Sequence, residues 1–178
     1  MSSTGPLSSR EAHDADPTEY SHWRPLRILL KAMDDDIARL YAERGAANIR
    51  PRFTKPLIRL SRRGPMTIRE LAEALELTHS AMSQTVAALR KEGFVTTEPG
   101  PDARTRAVVL TERAERIIPF LEAEWLATEA AVAELESEVP YSLSQVVADL
   151  TSALERKPFR ERIEDRISDM DLPVDPST

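Results

Sequence analysis

The fold is decided by residues 67–111, which read TIRELAEALELTHSAMSQTVAALRKEGFVTTEPGPDARTRAVVLT. Thr67 stands three residues before Glu70, and this spacing is typical of the capping box that starts a helix. After a short apolar helix, Thr78 supplies the next N-cap residue. We therefore predict a second helix that begins at Thr78 and is ended by Gly93.

The hydrophobic pattern changes its period after this second helix. Residues 94–97 and 105–110 are β-prone, and the turn-forming run from Pro99 to Asp102 separates them. The order helix, tight turn, helix, β-hairpin predicts a winged helix-turn-helix. In that motif the second helix enters the major groove of DNA, and the hairpin, or wing, can reach the adjacent minor groove.

The second helix is predicted to have two different faces. Met82, Val86 and Leu89 fall within a narrow arc that should face inward. Hydroxyl and amide groups on the opposite side could bond base edges or phosphates, although an ordinary solvated surface helix has the same appearance. That side carries Ser80, Ser83, Gln84, Ala87 and Lys91.

Two arginines, Arg104 and Arg106, project near the tip of the predicted hairpin, close to Asp102. An arginine at a wing tip can enter a narrow minor groove, where the electrostatic potential is most negative. The alternative is a plain surface ion pair. The complete set of candidate DNA contacts is Thr78, His79, Ser80, Ser83, Gln84, Arg90, Lys91, Asp102, Arg104 and Arg106.

The charge is unevenly distributed along the chain. The net charge is −6, yet residues 50–116 hold 13 Lys and Arg against 8 Asp and Glu, and the remainder holds 11 against 22. A basic middle between acidic arms favours contact between the middle segment and a polyanion. Chance clustering is the alternative that charge alone leaves open.

The composition argues against several classes of function. There is no cysteine, which removes disulfides, thiolate metal sites and thiol-based sensing. The three histidines, His13, His22 and His79, are scattered, so we expect neither a metal nor another cofactor, with only carboxylate sites left open.

We also expect no enzymatic activity. His79 and Ser80 are neighbours, but adjacent helical positions point about 100° apart and form no dyad. No glycine-rich phosphate loop is present. The chain shows no signal-peptide pattern and no run of roughly 20 apolar residues, so we expect a cytoplasmic protein.

Further helices flank the central segment. Apolar stripes run from Leu26 to Leu40 and from Ile118 to Val139, and Ser142 begins another helix with a capping-box pattern. These stripes either join two subunits or pack within one chain. Pro56 and Pro119 fall inside predicted helices and should bend them.

Residues 64–72 and 102–111 resemble the multiple-antibiotic-resistance regulator (MarR) family of bacterial winged helix-turn-helix proteins. The wing pattern, an Asp and an Arg two residues apart followed by Leu-Thr, is the more specific part, and the resemblance covers roughly residues 25–155. It implies that Arg104 is the minor-groove arginine and Asp102 its support. Glu76 departs from the pattern, because such turns often hold glycine in a left-handed conformation.

The resemblance implies a mainly α fold with a small β-hairpin wing, in which N- and C-terminal helices join two subunits. We expect a sequence-specific transcriptional regulator, a ligand-responsive repressor that binds duplex DNA as a homodimer at a pseudo-palindromic operator. The alternative is a winged-helix module that binds proteins. The predicted divisions are a disordered segment 1–16, a dimerisation helix 17–48, the DNA-binding domain 49–111, dimerisation helices 112–156 and an extension 157–178.

The expected ligand is a small aromatic acid, as the resemblance implies. Because no cysteine is available for oxidation, release from DNA should need a bound molecule. Four large aromatic residues could meet such a ligand, although core packing is the other interpretation of each. They are Trp23, Tyr41, Phe53 and Trp125.

Overall fold

The computed structural model describes residues 16–46, 48–99 and 105–170. The chain divides after Glu122 into two compact units. None of the described helices combines the length and the apolar character needed to cross a membrane. The elements are α1 (Arg24–Glu43), α2 (Pro51–Arg63), β1 (Met66–Thr67), α3 (Ile68–Ala74), α4 (His79–Lys91), β2 (Val95–Pro99), β3 (Arg106–Leu110), α5 (Glu112–Ser137), α6 (Leu143–Arg156) and α7 (Phe159–Ser168).

The first unit is a winged helix built on a small antiparallel sheet. The strand order is β1-β3-β2, with Val95 paired to Leu110 and Met66 paired to Val108. The sequence predicted the β2–β3 hairpin but not β1, which adds a third strand just before α3. The mainly α fold with a small wing is therefore confirmed.

The core of the first unit is formed by one face of each helix and the inner face of the sheet. Met82, Val86 and Leu89 are all buried, as predicted from their arc on α4. α2 contributes residues at a spacing of three and four, which lines up one side of a helix. The fully buried large side chains include Tyr41, Phe53, Leu57, Leu71, Met82, Leu89, Val108 and Leu121.

The two helix-interior prolines do not end their helices. Pro56 is buried within α2, and α5 continues through Pro119. A proline lacks the backbone N–H that would bond the carbonyl four residues earlier, so each costs its helix one hydrogen bond. Both helices nevertheless continue beyond the proline, α2 to Arg63 and α5 to Ser137.

The N-terminal segment 1–16 overlaps the described residues only at Asp16. The Asp16 carboxylate accepts a hydrogen bond of 2.8 Å from the Thr18 N–H and caps a short 3-10 turn at Pro17–Glu19. Bonds from the Thr18 hydroxyl and N–H lower the pKa of Asp16 below its ordinary value. The rest of the segment predicted as disordered, including His13, lies outside the described residues.

The start of α6 in the second unit corrects one prediction. The Ser142 hydroxyl accepts from the Gln145 N–H at 3.1 Å, but the Gln145 side chain donates to Asp149 at 3.0 Å. The predicted reciprocal capping box is therefore wrong. Ser142 remains the N-cap, and Glu136 at the end of α5 takes the role expected of Gln145, because its carboxylate accepts from the N–H and the hydroxyl of Ser144.

Candidate nucleic-acid interface

The turn between α3 and α4 sets the position of the second helix of the motif. Glu76 has φ 56°, the left-handed conformation predicted from its place in the turn. The Leu77 N–H donates to the Ala72 carbonyl at 2.9 Å, and the Glu76 N–H donates to the Glu73 carbonyl at 3.3 Å. These two bonds are the Schellman arrangement that closes a helix C-terminus. Hydrogen bonds between backbone groups therefore fix the turn between α3 and α4.

Each helix of the motif begins with a side-chain cap. In α3 the Thr67 hydroxyl accepts from the Glu70 N–H at 3.2 Å, and the Thr67 N–H donates to the Glu70 carboxylate at 2.7 Å. These bonds, above all the one from the Thr67 N–H, lower the pKa of Glu70 below its ordinary value. In α4 the Thr78 hydroxyl accepts from the Ala81 N–H at 3.2 Å. Both predicted caps are confirmed, and the Thr78 hydroxyl acts as a cap.

The outward face of α4 carries short polar side chains. Ser80 and Gln84 are exposed, and Ser83 is partly exposed. Within the described part of the chain, these three side chains make no hydrogen bond to another residue. Their donors and acceptors are therefore available to a partner, and Ala87 beside them leaves room for a close approach.

The basic residues of α4 lie at its end. Arg90 and Lys91 are exposed in the last turn, where a positive charge is favoured by the helix dipole. His79 is exposed in the first turn of α4, where several backbone N–H groups have no partner inside the helix. The N-terminal end of α4 therefore offers hydrogen-bond groups, and the C-terminal end offers charge.

Near its tip, the hairpin is held by Arg106, the first residue of β3. The guanidinium of Arg106 donates to the Thr97 carbonyl at 3.0 Å and to the Thr97 hydroxyl at 3.2 Å. This arginine, predicted as a DNA contact, thus also joins β3 to β2. The predicted minor-groove residues Asp102 and Arg104 lie outside the described residues.

Sequence reasoning missed two threonines of this site. Thr97 was seen only as a β-prone residue, and its bonds to Arg106 depend on strand pairing that a single sequence does not give. Thr85 is 9% exposed, on the buried side of α4. Its place on the helical wheel beside Met82 and Leu89 was the signal that could have revealed it.

The four aromatic residues proposed for a ligand lie in different surroundings. Tyr41 and Phe53 are fully buried in the first unit, where the Tyr41 hydroxyl and Thr54 share a hydrogen bond of 2.8 Å. Trp23 is half exposed, before the first turn of α1, and Trp125 is partly buried in the second unit. The structure thus packs Tyr41 and Phe53 in the core.

A sequence comparison connects this geometry to a known family. The sequence model of the MarR family matches residues 57–104, from α2 to the hairpin. This segment is therefore similar to the MarR family. The resemblance noted in the wing and in the entry to α3 is thereby confirmed. A search of curated protein sequences finds no match.

Solved structures show that the MarR-like fold extends beyond the matched segment. The Staphylococcus aureus MepR–DNA complex is 17% identical, with a TM-score of 0.57, and covers 77% of this chain and 98% of its own. The Mycobacterium tuberculosis regulator MosR, in complex with DNA, is 18% identical, with a TM-score of 0.55 and coverage of 79% and 100%.

Streptomyces coelicolor PcaV, in complex with its natural ligand, is 17% identical, with a TM-score of 0.54 and coverage of 80% and 97%. At these identities the likeness concerns the fold. Solved proteins with this fold include the transcriptional regulator SlyA, which is 14% identical with a TM-score of 0.52.

Proposed function

We propose that this MarR-like protein is a transcriptional regulator that binds duplex DNA through α4. The observation that carries the proposal is the exposed face of α4, where Ser80, Ser83 and Gln84 keep unused hydrogen-bond groups beside the small Ala87. Base edges in the major groove present complementary donors and acceptors. Two similar folds, MepR and MosR, were solved in complex with DNA, which supports DNA binding by this fold.

The DNA contacts should divide between the two ends of α4 and the wing. Gln84 reads a base, whereas Arg90 and Lys91 neutralise phosphates, which affects all sequences alike. Arg104 reaches the minor groove from the wing, with Asp102 as its support, as the family resemblance implies. Thr78 and His79 place the N-terminus of α4 against the phosphate backbone of the DNA.

The regulator acts as a homodimer in this proposal. The apolar faces of α1, α6 and α7 are exposed in the single chain, and a second copy would cover them. A two-fold dimer reads a pseudo-palindrome whose half-site centres lie about one helical turn, roughly 10 bp, apart. A regulator of this kind works in the cytoplasm, where its DNA is, and represses by occupying the operator.

The DNA-binding proposal is tested by selecting bound fragments from genomic DNA and then measuring variants on the tightest duplex. Gln84→Ala should relax the preference at one base position by about 1 to 3 kcal/mol if the contact is bidentate. Gln145→Ala is the matched control, because Gln145 lies on α6 in the second unit. Selection that enriches no sequence, with equal affinity for all duplexes, would contradict sequence-specific reading.

The phosphate contacts are tested by the salt dependence of binding. Lys91→Ala should weaken binding to every duplex and reduce the salt slope by about 1. Lys31→Ala removes the same charge from α1, where Lys31 pairs with Asp35, and should leave the slope unchanged. Arg104→Ala should weaken binding most on sites with a narrow A·T minor groove. Equal slopes for Lys91→Ala and Lys31→Ala would refute this role of Lys91.

We also propose that a small aromatic acid releases the protein from DNA. The chain has no cysteine for a redox switch, and PcaV was solved with a natural ligand. Such a ligand must bind the DNA-incompetent state more tightly, since equal affinity shifts nothing. Trp23 and Trp125 serve as reporters: titration with aromatic acids should change their fluorescence and lower DNA affinity together. A panel that changes neither signal at millimolar concentration refutes the proposal.

A further inference from the structure

Two residues at the start of α5, Thr111 just before it and Arg113 in its first turn, hold the end of α4 through side-chain contacts. The guanidinium of Arg113 donates to the Glu92 carbonyl at 2.8 Å and lies 4.7 Å from the centre of the Phe94 ring. The Thr111 hydroxyl lies 2.8 Å from the Gly93 carbonyl, to which it donates. We call this set of contacts, from Thr111 and Arg113 to residues 92–94, the α4–α5 clamp.

The clamp bonds carbonyls that the turn itself leaves open. The N–H groups of Gly93 and Phe94 donate to the carbonyls of Arg90 and Leu89, which closes α4 with a Schellman arrangement. The next carbonyls, those of Glu92 and Gly93, accept from Arg113 in the first turn of α5 and from Thr111, the residue before α5. At the end of α4, the N–H groups are therefore bonded within the turn, and the carbonyls are bonded to Thr111 and Arg113.

The position of Arg113 on its own helix indicates that it is not there to stabilise α5. It lies in the first turn of α5, where the helix dipole disfavours a positive charge. At the C-terminus of α4 the same charge is favoured, because the dipole there is negative. The electrostatic gain of Arg113 therefore comes from α4.

We propose that Arg113 is a positioning residue for DNA reading, which fixes the orientation of α4 against α5 without contacting DNA itself. This inference rests on the proposed function. Its physical basis is the planar guanidinium, which bonds the Glu92 carbonyl while lying against the Phe94 ring. A lysine keeps the charge but lacks the planar fork that does both.

The consequence is a specific defect in discrimination. A recognition helix that can tilt still meets phosphates through Arg90 and Lys91, because these contacts tolerate small displacements. Base contacts need donor and acceptor within a narrow range of distance and angle. Loss of the clamp should therefore weaken binding to the preferred duplex and spare binding to any other.

The test compares Arg113→Ala and Arg113→Lys with the unmodified protein on two duplexes. One is the tightest duplex recovered by selection, and the other has the same composition in shuffled order. We expect both variants to lose roughly tenfold in affinity for the selected duplex, which corresponds to about 1.4 kcal/mol. Affinity for the shuffled duplex should change by less than about twofold, with an unaltered salt slope.

Arg116→Ala is the matched control, because Arg116 lies three residues further along α5 and pairs with Glu112 at 3.7 Å. It should leave both affinities unchanged. Equal losses on both duplexes, with the salt slope lowered by about 1, would show that Arg113 contacts a phosphate and overturn the proposal. Unchanged binding of both Arg113 variants would overturn it as well.

Hydrogen exchange separates failure of the clamp from failure of the proposed function. In Arg113→Ala the amides of Gly93 and Phe94 should exchange faster, while those of α3 keep their rates, which also shows that the variant is folded. If the unmodified protein binds no duplex, the DNA-binding proposal fails and with it the role of Arg113 in reading. Unchanged exchange at Gly93 and Phe94 would instead refute the clamp alone.

Discussion

The two compact units of the chain differ in how they treat their apolar side chains. In the first unit Leu71, Leu89 and Leu121 are completely buried. In the second unit Leu150 is 42% exposed and Ile163 is 43% exposed, although both lie in regular apolar stripes. Among the described residues after 122, no apolar side chain is buried.

This difference indicates which unit is complete in one chain. The first unit fills a core with its own helices and sheet, although its α1 leaves Ile28, Leu29 and Leu30 about half exposed. The second unit leaves a stripe exposed along α6, formed by Leu143, Val146, Val147, Leu150 and Leu154. Burial of such a surface by a second copy would supply the hydrophobic free energy that the single chain lacks.

The largest effect is expected for a cavity in the first unit. Leu89→Ala removes a fully buried side chain from α4 and should lower the free energy of unfolding by about 2 to 5 kcal/mol. Denaturant unfolding followed by circular dichroism measures it, and the loss should be the same at low and high protein concentration. A loss below about 1 kcal/mol would show that the first unit is not packed as the structure indicates.

A smaller effect, confined to association, is expected in the second unit. Leu150→Asp places a carboxylate in the centre of the α6 stripe and should raise the dissociation constant of the dimer roughly a hundredfold, because burying an unpaired charge is costly. Sedimentation equilibrium measures it. Ser152→Asp is the control, since Ser152 is exposed on the opposite side of α6. A stable monomer in the unmodified protein, or equal dissociation constants for the two variants, would contradict the role of the α6 stripe in dimerisation.

The smallest effect is a difference in acid sensitivity at the start of α6. Bonds from Ser144, first its backbone N–H, lower the pKa of Glu136 below its ordinary value. A carboxyl whose folded pKa lies below its unfolded pKa stabilises the fold above the unfolded value, and this contribution is lost as the pH falls through the folded value. Glu136→Gln should therefore destabilise α6 at neutral pH and less so in acid.

The measurement is thermal unfolding of Glu136→Gln from pH 7 to pH 3. Glu70→Gln is the companion variant in the first unit, because the pKa of Glu70 is lowered in the same direction by Thr67. Each variant should approach the unmodified protein in melting temperature as the pH falls. A difference in melting temperature that persists at pH 3 would mean that the carboxylate charge is not what stabilises either helix start.

The sequence predicted what is local and periodic. The inward residues Met82, Val86 and Leu89 and the caps at Thr67 and Thr78 depend on neighbours within a few positions. Such features follow from helical geometry and backbone sterics, which the residue types reveal directly.

Features that join distant parts of the chain could not be predicted in this way. β1 is only two residues long and exists because Met66 pairs with Val108. The contacts of Arg106 with Thr97 and of Arg113 with Glu92 span 9 and 21 residues. The sequence correctly predicted Ser142 as the N-cap of α6. The bond from the Ser144 N–H to Glu136 was not predicted, because Glu136 belongs to the preceding helix.

The left-handed Glu76 has a consequence at the level of the gene. Glutamate codons become glycine codons by one nucleotide transition, and glycine adopts this backbone conformation without the steric cost of about 1 kcal/mol. Part of that gain is offset by the greater freedom of glycine in the unfolded chain. A single nucleotide change can therefore raise the free energy of unfolding of the helix-turn-helix. Random mutagenesis under thermal selection should return Glu76→Gly among its early products.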